Sequence, residues 1–310
     1  MLAILCSGQG HQHPAMFALT AEAPEAADIF AAATQALDGR DPRQMVRDVD
    51  DAAIHTNGVS QILCCTQALA AFALLRPSLG SKLVLAGYSV GELASWGCAG
   101  LFSPQATLAL AKTRAAVMDD ASGPADGLGF VGGLDRKAVE ALCRCHDAAI
   151  AIVNPNDVFV VGGAIENVAA LCAAALAAGA ARVGRLKVSV ASHTPRLAAA
   201  APRFRKALDA AAPTPRLAPG LRLFSGIDGS AVLSIPGGLD KLAAQICQTI
   251  DWAGCLDACV EVGVDTILEL GPGNALATMA ANAYPGINAR ALDDFRSLIG
   301  VEAWLAKAEA

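Results

Sequence analysis

Short apolar runs that end in glycine alternate with Ala/Leu-rich segments of helical character along this chain, and no other feature restricts its fold as much. Leu2–Cys6, Leu83–Ala86, Leu221–Ser225 and Thr266–Leu270 are the clearest runs of this kind and predict strands. Between them, Gln61–Leu75, Ser103–Asp119 and Gly238–Cys247 predict helices, the second with Ser103 at the N-cap and Pro104 at the first helical position. The alternation is that of an α/β protein with a largely parallel sheet.

Residues 125–188 keep a rhythm of their own. Strand Gly129–Gly132, helix Arg136–Cys145, strands Ala149–Val153 and Val158–Val161, helix Glu166–Ala178 and strand Val183–Val188 follow in the order βαββαβ, the ferredoxin-like unit. The turn-rich segment Ser122-Gly-Pro-Ala-Asp-Gly127 precedes it, as a linker into an inserted subdomain would. The expected division is a large domain of residues 1–124 and 189–310 around an insert of 125–188.

Composition excludes several classes of function. With 54% hydrophobic and 17% charged residues, 310 residues can bury a sizeable core and are too apolar for disorder. The Ala-rich run Ala169–Ala181, the longest apolar candidate, falls short of the ~18 residues of a membrane span, so no membrane partner is expected. The N-terminus lacks a basic segment before its apolar stretch and reads as a first strand, which leaves a cytoplasmic location. A net charge of −6 argues against nucleic acid as a partner. Ten cysteines stand mostly inside apolar stretches with no CxxC pair, as reduced core residues do; Cys143, Cys145 and His146 lack a fourth ligand at zinc spacing, so no metal is expected.

Chemistry concentrates at a few motifs. Gly87-Tyr88-Ser89-Val90-Gly91 stands between a strand and a helix-compatible segment, where a nucleophile elbow lifts a serine hydroxyl above a sheet. A serine nucleophile needs a base, and among five histidines His193 is the best placed, in a loop between an apolar strand and a proline-opened segment. Ser7-Gly-Gln-Gly-His-Gln12 lacks the lysine of a P-loop and an intact GxGxxG, so nucleotide binding is not expected; such a loop can bring N–H groups to a reacting carbonyl. From Arg182 to Lys206 run seven basic residues and no acid: Arg182, Arg185, Lys187, Arg196, Arg203, Arg205 and Lys206. That stretch is +7 in a chain of −6, so the remainder stands at −13, and the contrast points to an anionic substrate or an acidic partner.

Gly8-Gln9-Gly10, Gly87-x-Ser89-x-Gly91-Glu92, Arg114, Ser192-His193 and Leu270-Gly-Pro-Gly273 occur in one order. The set resembles the malonyl-CoA:acyl carrier protein transacylases and the acyltransferase domains of polyketide synthases, nearly end to end. The resemblance implies an α/β-hydrolase-like large domain carrying a ferredoxin-like insert. It implies an acyltransferase that moves a malonyl or related dicarboxylic acyl group from coenzyme A to an acyl carrier protein, with the coenzyme A thioester as substrate and no permanently bound cofactor. Position by position, it makes Ser89 the nucleophile and His193 its base, oriented by a main-chain carbonyl at Gln245. Gln9 and Val90 amides would form the oxyanion hole, Arg114 would bind the free carboxylate, and Gln61 would line the pocket. The small Ser192 would leave room beside the acyl α-carbon, and Arg196, Arg203, Arg205 and Lys206 would receive the acidic carrier. Tyr88 stands where the family usually has His, and Ser7 where it usually has Pro. A monomer is expected. A malonyltransferase subunit of a malonate decarboxylase system and a serine thioesterase or hydrolase share the same elbow and stay open at this point.

Overall fold

The glycine-ended apolar runs become parallel strands in the computed structural model, which describes residues 1–48 and 51–308. Ten strands occur among the described residues: β1 (Leu2–Cys6), β2 (Leu83–Gly87), β3 (Asp126–Gly132), β4 (Ala148–Asn154), β5 (Val158–Ala164), β6 (Arg182–Arg185), β7 (Leu221–Leu223), β8 (Ile250–Asp251), β9 (Thr266–Leu270) and β10 (Asn288–Ala291). The first sheet has the order β10-β9-β1-β2-β7 with every pair parallel. Its central strands are buried throughout because both faces are covered. Side chains alternate accordingly: Leu2, Ile4 and Cys6 join the core on one face, while Ala3 and Leu5 meet Trp252 and Leu276 on the other.

Helix Asn57–Leu75 fills the centre of the first of these cores and packs against helices Val90–Cys98 and Pro104–Ala121. It corrects the expectation that no apolar segment is long enough to span a membrane. Continued through Ser78 it has 22 residues, and an 18-residue window of it has a mean hydropathy of 1.7, enough by length and composition, but 78% of that window is buried inside the protein. Its polar residues hide the length by eye; Ser60, Gln61, Thr66 and Gln67 are buried and bond within the core.

The second sheet, β6-β3-β5-β4, is antiparallel, in the interleaved order of a ferredoxin-like unit, and helices Arg136–Cys145 and Ile165–Ala177 cover it. The two-residue β8 adds to β4 in parallel, so residues 250–251 extend this sheet from outside it. The molecule is thus α/β, with a parallel sheet and a separate ferredoxin-like one. Several boundaries differ from expectation. The strand expected over 183–188 ends at Arg185, because Leu186 and Val188 turn to line a cavity. The run Leu221–Ser225 pairs only to Leu223, and the helix expected to start at Gly238 starts at Ile235 behind an Ser234 cap. Cys145 is exposed rather than in the core.

Candidate active site

Ser89 sits at the tip of a turn between β2 and helix Val90–Cys98 with φ +57° and ψ −119°, a backbone state that costs an L-residue about 1–3 kcal/mol and persists only where neighbours enforce it. The enforcing neighbours are the two glycines. A Cβ on Gly87 would lie 2.1 Å from the Gly91 carbonyl, and a Cβ on Gly91 would lie 2.0 Å from the Cys6 oxygen. The GxSxG spacing is therefore a steric requirement of folding the helix back onto β1 and β2.

The Ser89 hydroxyl lies 2.8 Å from Nε2 of His193. His193 has its own left-handed backbone, φ +62°, and its N–H donates to the Ile246 carbonyl at 2.8 Å, which fixes the loop. Its Nδ1 donates to the main-chain oxygen of Gln245. A carbonyl only accepts, so the proton is on Nδ1 and Nε2 is left as an acceptor facing the serine. No acid is needed to fix this tautomer. Complete burial, and then the charge of Arg114, hold the His193 pKa down to about 3 against the opposing Gln245 bond, so the ring is neutral at physiological pH.

Arg114, on helix Pro104–Ala121, is 1% exposed. Its Nη1 donates to Gln61 Oε1 at 2.8 Å and its Nη2 to Gln245 Oε1 at 3.3 Å, while Nε has no partner among the described residues. Gln61 is held in turn by Asn57, and Asn57 by Asp119. A buried guanidinium with only amide oxygens as direct partners keeps the capacity to donate to a planar anion. Burial brings its pKa down to about 10.

The acyl transferase domain family matches residues 4–223. This chain belongs to that family. The malonyl CoA-acyl carrier protein transacylase of Mycobacterium tuberculosis is 30% identical to this acyltransferase over 295 residues, 94% of this chain and 96% of that one. The protein of the same name from Haemophilus influenzae is 26% identical over 98% of both. Among solved structures, MCAT from Mycobacterium tuberculosis superposes with a TM-score of 0.89 at 31% identity over 99% of each chain. The malonyl-CoA:acyl carrier protein transacylase of Xanthomonas oryzae shares the fold with a TM-score of 0.90 at 24% identity, covering 99% of this chain and 98% of that one.

Of the remaining expected site residues of this acyltransferase, Gln9, Val90 and Ser192 lie around Ser89. Gln9 and Ser192 line a cavity of about 60 Å³ together with Ser89 and His193. The Gln9 loop is pressed against the elbow, since a Cβ on Gly8 would lie 2.9 Å from the Tyr88 oxygen. The main-chain N–H groups of Gln9 and Val90 make no hydrogen bond among the described residues, and Val90 opens the helix behind Ser89. A second cavity, of about 390 Å³, shares Gln9, Tyr88, Val160, Leu186 and Val188 with the first and has Arg185 and Lys187 on its wall.

The basic zone is not the bare positive face its sequence suggests. Arg196 pairs with Asp126 at 3.0 Å, Arg203 with Asp120 at 2.8 Å, and Arg205 with Asp240 at 2.7 Å and with Asp209. Among the described residues Lys206 has no such pair. Three of those four acids come from segments remote in sequence, which a count along the chain cannot register. Sequence reasoning also gave no role to Glu92, whose fully buried carboxylate holds the Gln245 side chain at 2.7 Å. An acid inside an otherwise apolar stretch behind the elbow is the signal that could have found it.

Proposed function

We propose that this acyltransferase moves a malonyl, or related dicarboxylic acyl, group from coenzyme A to the phosphopantetheine thiol of an acyl carrier protein, through an ester on Ser89. The observation that carries the reading is the buried Arg114 guanidinium, partnered only by amide oxygens and joined through Gln245 to the base of a Ser–His pair. Arg114 and Gln61 hold the carboxylate of the acyl group. His193 Nε2 takes the Ser89 proton as Oγ attacks the thioester carbonyl. The oxyanion is received by the Gln9 and Val90 N–H groups, each worth about 3 kcal/mol in the transition state. Collapse expels the coenzyme A thiolate, which recovers the proton from His193. The carrier's thiol then gives its proton to His193 and attacks the ester, and Ser89 Oγ leaves with that proton. The chemistry calls for no bound cofactor. The larger cavity, with Arg185 and Lys187 at its wall, suits the pantetheine arm and phosphates of the donor.

Residues 1–124 and 189–310 form the catalytic domain in this reading and 125–188 the insert, in a monomeric, cytoplasmic enzyme without nucleic-acid or membrane partners. The carrier docks along Arg196, Arg203, Arg205 and Lys206. The Arg203–Asp120 pair is exposed, and such pairs are worth only about 0–1 kcal/mol, so an acidic carrier can exchange it for its own carboxylates, whereas Asp126, which holds Arg196, is buried.

The test is to mix the protein with malonyl-CoA and a holo acyl carrier protein and follow the carrier by intact mass. Malonyl-carrier should form, more slowly as salt rises, and charge reversal of Arg203, Arg205 and Lys206 should raise the carrier's KM more than it lowers kcat. Free malonate without malonyl-carrier would make the protein a hydrolase. Carrier kinetics untouched by the triple reversal at low salt would place the docking face elsewhere.

A further inference from the structure

The Glu92 carboxylate is completely buried, and no step of the proposed reaction uses it. Its Oε2 accepts from Gln245 Nε2 at 2.7 Å and from the Gly226 N–H at 2.9 Å, and its Oε1 has no partner among the described residues. Burying a carboxylate is costly, so its placement calls for a reason. Gln245 supplies one. Its main-chain oxygen takes the His193 Nδ1 proton, while its side-chain amide spans Glu92 and Arg114. The two ends of an amide are chemically distinct: a guanidinium only donates, and Glu92 Oε2, which also takes the Gly226 N–H, accepts whether or not the carboxyl is ionised. With Glu92 fastened to Nε2, the amide must turn Oε1 toward Arg114.

We propose that Glu92 is a positioning residue that, through Gln245, aims the Arg114 guanidinium at the acyl carboxylate and steadies the carbonyl that orients His193. The proposal rests on reading Arg114 as the carboxylate-binding group. Glu92 also sets the charge that Arg114 presents. Burial raises its pKa to about 7, opposed by the Gly226 N–H, Ser225 and the Arg114 charge, while the Asp228 charge adds to the rise; the Cys255 thiol, on helix Trp252–Glu261, faces it as a neutral group. As pH climbs through 7, Glu92 becomes an anion one amide away from Arg114 and competes with the substrate carboxylate.

The experiment measures loading from malonyl-CoA and acetyl-CoA by the wild type, Glu92→Ala and Glu92→Gln between pH 6 and 8. Glutamine keeps the acceptor for Gln245 and Gly226 and places its NH₂ where Oε1 has no partner. Glu92→Ala should lower the malonyl-over-acetyl preference by about ten- to a hundredfold. Glu92→Gln should restore the preference to within about threefold at pH 6 and should lack the wild-type rise in malonyl-CoA KM toward pH 8. An unchanged preference in Glu92→Ala, or a wild-type KM–pH profile in Glu92→Gln, overturns the proposal; should Glu92→Ala fail to fold, the Glu92→Gln profile decides alone. A wild type with no malonyl preference at all removes the reading of Arg114, and the proposal with it.

Discussion

His193→Ala is expected to lower turnover by roughly 10²–10⁴ with the fold intact, the range for removing a general base. The ring has one acceptor nitrogen, and that nitrogen faces Ser89 at 2.8 Å. No second histidine is poised in the same way: His13 is engaged with Asp293 at 2.8 Å, and His11 lines the larger cavity and not the smaller one beside Ser89. Loss of the imidazole leaves the Gln245 carbonyl without its donor, at a cost of about 1–3 kcal/mol, which thermal unfolding of the variant will separate from the kinetic loss. The pH profile gives a second check. Because the folded-state pKa is depressed to about 3, His193 stays an unprotonated base as pH falls through 6.5, and kcat/KM for loading should show no acid limb there. Near-normal turnover in the variant would mean that another group takes the proton.

Arg114→Ala is expected to change the malonyl-to-acetyl loading ratio by roughly 10²–10³. In the wild type an acetyl group leaves a buried guanidinium with an empty Nε and two amide partners, whereas a malonyl carboxylate pairs with it. The variant removes both the reward for the carboxylate and the penalty for its absence, so acetyl loading should rise relative to malonyl. Removing the cation also removes one of the two effects that depress His193, so the acid limb of loading should move upward in pH. If malonyl and acetyl loading instead fall by one common factor and the limb stays in place, Arg114 is structural.

What could be read from the chain and what could not follows from how far each feature reaches. The elbow is legible because its constraint is local: Gly87, Ser89 and Gly91 meet the steric demands of one turn, with the Cys6 and Ser7 carbonyls of β1 and its end contributing from elsewhere. Helix Pro104–Ala121 was announced by its own first residues, Ser103 capping Ala106 N–H and Pro104 following. His193 could be singled out by its loop, but the proton on Nδ1 depends on a carbonyl 52 residues away, which residue patterning does not show and the family resemblance supplied. Glu92 escaped because its partner, Gln245, is 153 positions distant. The basic zone was over-read for the same reason: Asp120, Asp126 and Asp240 reach it in space, from outside the stretch. β8 and β10, of two and four residues, are too short to carry an alternation. The sequence suggests a strand over 183–188, longer than the one that forms, because Leu186 and Val188 have strand-like composition but serve the cavity wall.

In the proposed mechanism Ser89 carries the acyl group between donor and acceptor. Peptide mapping of the protein after brief mixing with malonyl-CoA, without carrier, tests it most directly. The expected result is one malonyl group per chain, on the peptide containing Ser89, absent from Ser89→Ala and discharged on addition of a holo carrier. A malonyl group on any other residue, or an unlabelled protein that still transfers malonyl to the carrier, would contradict it.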